Sequence, residues 1–252
     1  MADAERLRRI TEAVRDAGSM GVADLAGLTG ASEMTIRRDL DHLAAQGVLE
    51  RYRGGARSLL LRGEEPPFAV RVQEDVDAKR RIAAEAAALV ADGESVVLDS
   101  GTTCLAVARA LEPRRLTVVP LSLHAVNALS AAPRLTLLVP GGRPRPGELA
   151  LTGPLAEASL AALRFDTAII GCCGLTAGDG LTAHDLEDAA VKRAAIASAH
   201  RVIAVTEAAK LSRTALAFVG PVSDLDAVVT DDSAPADQVA RLEAAGVTVR
   251  TV

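Results

Sequence analysis

Residues 31–57, ASEMTIRRDLDHLAAQGVLERYRGGAR, set five arginines among apolar residues whose spacing is first helical and then strand-like. At 100° per residue, Ile36, Leu40 and Leu43 fall on one face of a helix that needs a partner surface. Met34, Arg38, Asp41 and Ala45 point away from it, with Thr35 and Arg37 on the flanks. Ser32 is placed to cap this helix, which is expected to run to Gly47. After it, VLERY alternates apolar and polar, RGG supplies a tight turn, and ARSLLL is expected to return as a second strand. Upstream, Leu7, Ile10 and Val14 recur at helical spacing between Asp3 and Gly18, and a short helix over 22–29 carries Val22 and Leu25 inward before Gly30 stops it.

Three helices followed by a glycine-tipped hairpin define a winged helix-turn-helix over residues 1–60. In such a module the third helix offers its N-terminal residues to base edges in the major groove. Ser32, Met34, Thr35, Arg37 and Arg38 are therefore the expected DNA contacts. Arg51 and Arg53, with Gly54 and Gly55, would form a tip slim enough to follow a phosphate backbone or a minor groove. The alternative is a solvated helix whose arginines pair with Asp39 and Asp41; the three-helix-plus-wing order favours double-stranded DNA. Five arginines face four acids between residues 33 and 57. One module should bind weakly, so two or more are expected on one operator, as a homodimer or homotetramer.

The chain has 252 residues, 49% of them hydrophobic, enough for a large core. Aromatic residues make up only 2% and Trp is absent, so packing must rest on Leu, Val, Ile and Ala. The formal charge of −5 is unevenly placed. Residues 1–62 hold ten Arg against nine Asp or Glu, and the rest holds 18 basic and 24 acidic residues, so a polyanion surface belongs to the N-terminus alone. Apolar runs such as TAIIGCCGL are far shorter than the roughly 20 residues that span a bilayer, and no apolar signal core opens the chain; a cytoplasmic protein is expected. The three cysteines lack zinc or disulfide spacing and read as small buried hydrophobes, with redox sensing by Cys104 or the Cys172/Cys173 pair as the alternative.

The stretch RGEEPPFAVRVQ breaks the pattern with charge and a proline pair, and a linker is placed over 61–76. From Asp77 the chain alternates amphipathic helices with continuous apolar strands, including SVVLD, LTVVPL, LTLLV, TAIIG, RVIAVT, LDAVVT and VTVRTV. Such alternation specifies a parallel sheet covered on both faces, a Rossmann-like α/β domain over 77–252. VVLDSGTTCLAVARAL reads as strand, small polar turn and helix. Ser100, Gly101, Thr102 and Thr103 can aim backbone N–H groups and hydroxyls at an anion on the helix N-terminus, although such a turn can also serve only as a cap. Gly141 and Gly142 would let backbone approach a ligand closely. The stretch GLTAGDGLTAHDLEDAAVK is read as a loop closing over that ligand, with Lys192 on the following helix. No GxGxxG or Walker A pattern occurs, so neither a dinucleotide nor any other cofactor is expected.

TIRRDLDHLAAQGVLERYRGGA resembles the signature of the DeoR family of bacterial transcription regulators. The likeness continues through PPFAVR, the Lys79 helix, LDSGTT, the glycine pair at 141–142 and EAAK at 207–210, spanning nearly the whole chain in order. The resemblance implies a winged helix-turn-helix before a sugar-phosphate-sensing domain akin to sugar-phosphate isomerases, and hence a repressor of a carbohydrate operon. It also implies that Lys210 partners the phosphate and that Asp99 accepts from sugar hydroxyls. Where the family commonly has Thr-Asn after LTVV this chain has Pro120 and Leu121, and Glu207 stands where an aspartate is usual. The rival reading is a sugar-phosphate isomerase or deaminase-like enzyme, with Asp179, Asp185, Glu187 or Asp188 as general base. No placement of these carboxylates is forced by the sequence. The histidines at 42, 124, 184 and 200 show no metal-ligand spacing and read as surface or capping residues.

Overall fold

The computed structural model describes residues 2–45, 48–58 and 66–252 and divides into two units, residues 1–75 and 76–252. In the first unit, α1 (Ala2–Ala17), α2 (Val22–Thr29) and α3 (Glu33–Ala45) enclose a core of Ile10, Val14, Val22, Leu25, Ile36, Leu40 and Leu43. Gly30, at φ 71°, ends α2 by donating its N–H to Ala26 O, and three residues separate α2 from α3. Residues 46 and 47, where α3 was expected to end, lie outside the described residues, as do 59–61 of the expected returning strand.

The wing differs from a plain hairpin. β2 (Leu49–Tyr52) and β3 (Gly55–Ser58) pair as expected around an Arg53–Gly54 turn, but β1 (Ser19–Gly21) pairs with β3 from the other side. The order is β1-β3-β2, so β3 is central. The expected linker is also partly folded. α4 (Phe68–Arg71) groups with the first unit, and its Val70 joins the core there.

The second unit is built on α5 (Val76–Ala88), β4 (Ser95–Leu98), α6 (Thr102–Leu111), β5 (Thr117–Pro120), α7 (Leu123–Leu129) and β6 (Thr136–Leu137). A short hairpin, β7 (Arg143–Pro144) and β8 (Leu151–Thr152), precedes α8 (Pro154–Ala161) and β9 (Phe165–Gly171). Then come β10 (Gly174–Thr176), β11 (Gly180–Ala183), α9 (Leu186–Ala197), β12 (Ala199–Val205), β13 (Ala217–Gly220), β14 (Ala227–Thr230), α10 (Ala236–Ala244) and β15 (Thr248–Thr251). Seven strands form a parallel sheet in the order β15-β14-β12-β9-β4-β5-β6.

Alternate residues along these strands enter two cores, because a strand turns successive side chains to opposite faces. Val97, Val119, Ala168, Ile170, Val202 and Val228 pack under α8, α9 and α10, whereas Val96, Leu98, Val118, Ile169, Ile203 and Val229 pack under α5, α6 and α7. Strand order reverses between β4 and β9, and the carboxyl ends of those two strands border the crevice where doubly wound sheets bind ligands. Two expectations are corrected here. LTLLV contributes only Thr136–Leu137 as strand, and the presumed closing loop is β10 and β11, which pair antiparallel and continue to β13 as a second small sheet.

Candidate functional site: a helix-turn-helix face and a switch-point cluster

In the first unit, burial of Ile36, Leu40 and Leu43 fixes the rotation of α3 and leaves Met34, Arg37, Arg38 and Asp41 exposed. Ser32 Oγ accepts from Thr35 N at 3.2 Å and lies 2.9 Å from Thr35 Oγ1, so both hydroxyls organise the helix start. Asp39 faces inward instead and takes two bonds from the Arg6 guanidinium of α1, at 2.6 and 3.2 Å.

The arginines separate into two kinds. Arg37 pairs with Glu33 at 2.6 Å, and Arg51 donates to Asp41 Oδ1 at 2.6 Å and to Arg37 O at 2.9 Å. Arg51 is therefore folded back onto α3 rather than carried at the wing tip. The side chains of Arg38 and Arg53 are exposed, and neither has a partner among the described residues. Gly54 has φ 97°, a value that suits glycine at the turn. Gly55 serves packing rather than a tip: it is buried, and a Cβ there would meet Met20 O at 2.3 Å and Tyr52 Oη at 2.6 Å.

In the second unit, β4 ends in the polar turn 99–101, and Gly101 adopts φ 97° to enter α6. The first N–H groups of α6 have no intrahelical acceptors, and Ser100, Thr102 and Thr103 lie buried beside them. Asp99, 2% exposed, accepts from Gly171 N at 2.9 Å and from Lys192 Nζ; the same ammonium lies 3.5 Å from Asp188. Burial works against charge on Lys192, but Asp188 and Asp99 outweigh it and hold its pKa above the ordinary value. Burial raises the Asp99 carboxyl, reinforced by the like charge of Asp188 and opposed by Lys192. Lys192 is thus saturated by carboxylates and positions Asp99.

On the other side of the crevice, Lys210 ends a short 3-10 turn, Ala208–Lys210, and its Nζ donates to Cys172 O at 3.1 Å. Glu207 Oε1 accepts from Thr103 Oγ1 at 3.0 Å and pairs with Lys79 Nζ at 3.4 Å. The structure therefore brings Asp99, residues 100–103, Lys192 and Lys210 to one edge of the sheet. Added Cβ atoms on Gly141 and Gly142 would press on Leu155 at 3.2 Å and on Ala156 at 3.1 Å, so close packing against α8 is itself a reason for glycine at both. Cys104 is buried, which together with Asp99 pushes its thiol pKa well up, and Cys172 Sγ donates to Thr206 Oγ1 at 3.2 Å.

Sequence reading named Lys79 only as part of the family likeness, without a place at the site, and missed Asp231. Lys79 shares the buried face of α5 with Ile82, Ala83 and Ala86, and a lysine on such a stripe was the available signal. Asp231 accepts from Ala208 N at 2.7 Å and so fixes the turn that carries Lys210, a contact with no local sequence signature.

A helix-turn-helix with a wing, joined in one chain to a doubly wound domain with a polar cluster at its switch point, defines a ligand-responsive DNA-binding regulator. Residues 6–60 match the family model described as a DeoR-like helix-turn-helix domain, and residues 74–232 match the DeoR C terminal sensor domain. The chain belongs to the DeoR family of transcriptional regulators. It is 33% identical over 258 residues to the HTH-type transcriptional regulator GlpR of Haloferax volcanii, covering 99% of this chain and 98% of that one. It is 30% identical to the glycerol-3-phosphate regulon repressor of Escherichia coli (strain K12), covering 93% of each. Among solved structures, ribose 5-phosphate isomerase A from Methanocaldococcus jannaschii aligns with a TM-score of 0.41 and 17% identity, over 54% of this chain and 55% of that one. The enzyme reading is not favoured, since the full-length relatives are named as regulators and repressors. No helix among the described residues is long and apolar enough to cross a membrane.

Proposed function

We propose that this regulator represses a carbohydrate-metabolism operon and is controlled by a phosphorylated sugar or polyol held at the carboxyl edge of the sensor sheet. In this reading residues 1–60 bind operator DNA through Met34, Thr35, Arg37, Arg38 and Arg53. Ser32 and Arg51 orient them, and the chain acts as a homodimer or homotetramer. Residues 77–252 bind the effector. Its phosphate meets the N–H groups of residues 101–103 and Lys210, and its hydroxyls meet Asp99. The observation that carries the proposal is the convergence of that turn, Lys210 and the Lys192-anchored carboxylate at the switch point. The names of relatives, a glycerol-3-phosphate regulon repressor and a putative aga operon repressor, support the class of effector.

An effector alters DNA affinity only as far as it binds two conformations of the protein differently. The binding half of the proposal is tested by thermal unfolding of the full chain with glycerol 3-phosphate, glucose 6-phosphate, galactosamine 6-phosphate and fructose 1,6-bisphosphate. A ligand at 100 times its Kd stabilises by about 2.7 kcal/mol, a readable shift. At least one compound should raise Tm, and Lys210→Ala should abolish the shift. No shift with any of them, or an equal shift in Lys210→Ala, would contradict the proposed site.

A further inference from the structure

The loop between β7 and β8 carries an arginine that neither the site above nor the DNA-binding face uses. Arg145 Nε is buried without a hydrogen-bond partner, and its side chain makes no ion pair among the described residues. The residue as a whole is only partly buried, so the closed-off Nε leaves the rest of the guanidinium, a group shaped to receive an oxyanion through two parallel bonds, open to a ligand. The loop is held in place: Arg145 N donates to Ala150 O at 2.7 Å and Leu149 N to Arg145 O at 2.8 Å. Leu149 sits at φ 52°, a conformation rare for a branched residue and common where loops serve a ligand.

Its position follows from the backbone pairing. Leu121 N donates to Leu98 O, Leu151 N to Leu121 O, and Leu123 N to Leu149 O, which lays the loop against the carboxyl end of β5, next to β4. Arg145 thus stands three strand spacings, about 14 Å, from Asp99, and an extended arginine covers about half of that. Lys210 lies on the opposite side, where its ammonium is held beside the end of β9. One phosphate on the 101–103 turn can engage Lys210 but leaves Arg145 for the far end of the ligand.

We infer that Arg145 is a specificity-determining residue that binds a second oxyanion, a carboxylate or phosphate, at the end of the effector distal to the turn. The inference rests on the effector reading above. Isothermal titration of the full chain with glucose 6-phosphate, which has one anionic group, is compared with 6-phosphogluconate and fructose 1,6-bisphosphate, which have one at each end. At least one two-ended probe should bind at least about tenfold more tightly than glucose 6-phosphate, the scale of one charged hydrogen bond. Arg145→Gln should remove that margin and Arg145→Lys keep part of it. Equal affinities for all three probes in the natural protein, or a margin that survives Arg145→Gln, would overturn the inference. The natural-protein comparison decides alone should the variants not fold. Binding of glucose 6-phosphate without a two-ended preference overturns this inference only, whereas no binding of any probe overturns the effector reading with it.

Discussion

Arg37 and Arg38 are neighbours with opposite circumstances, and the difference sets what each can contribute to DNA. Arg37 must share its guanidinium with Glu33, whereas Arg38 has no competing partner among the described residues. Arg38→Ala should weaken operator affinity by about 1–3 kcal/mol in an anisotropy titration and leave effector binding unchanged; normal binding would mean that α3 is docked in another orientation. Asp231 makes a prediction at the sensor site. Burial alone would raise its pKa, but bonds from Ser233 and Ala208 N prevail and lower it. Its contribution to stability is therefore full above the unfolded value of about 3.9 and is lost as pH falls through the lower folded value. Asp231→Asn should melt earlier than the natural protein at pH 7, with the gap closing below about pH 4 in parallel melts.

At the level of elements, the wing and the α1–α3 contact are the exposed points of the DNA-binding unit. Gly55→Ala should cost about 1–3 kcal/mol, because the added methyl must displace Met20 O and the Tyr52 ring. Chemical denaturation would check this, and an unchanged midpoint would mean that the wing packs differently. Asp39→Ala removes the acceptor of a largely buried Arg6 bond and should cost a similar amount, about 1–3 kcal/mol. The helices were legible in the sequence because their information is local: Ile36, Leu40 and Leu43 recur at the helical period, Ser32 caps and Gly30 stops. β1 was not legible. Its three residues carry no alternation, and it exists because β3, far along the chain, offers a free edge. Arg51 looked like a tip residue for the same reason, since its partner Asp41 is chosen by docking of β2 on α3 rather than by spacing.

Over the whole molecule, the parallel sheet and the turn at residues 99–103 could be read from continuous apolar strands and one polar strand end, but the contacts that support the site could not. Lys79, Glu207, Asp188 and Asp231 meet the site from elements distant in sequence, and only strand order brings them to the crevice. In the proposed function, one chain couples that crevice to DNA affinity. The most direct test of that coupling is anisotropy of labelled DNA from upstream of the protein's own operon, at fixed salt because phosphate contacts make affinity steeply salt dependent. The titration is run with and without the sugar phosphates that stabilise the fold. The account predicts specific binding that at least one such compound shifts by about fivefold or more, with the shift lost in Lys210→Ala. Specific binding that is indifferent to every compound that binds the sensor unit would contradict it.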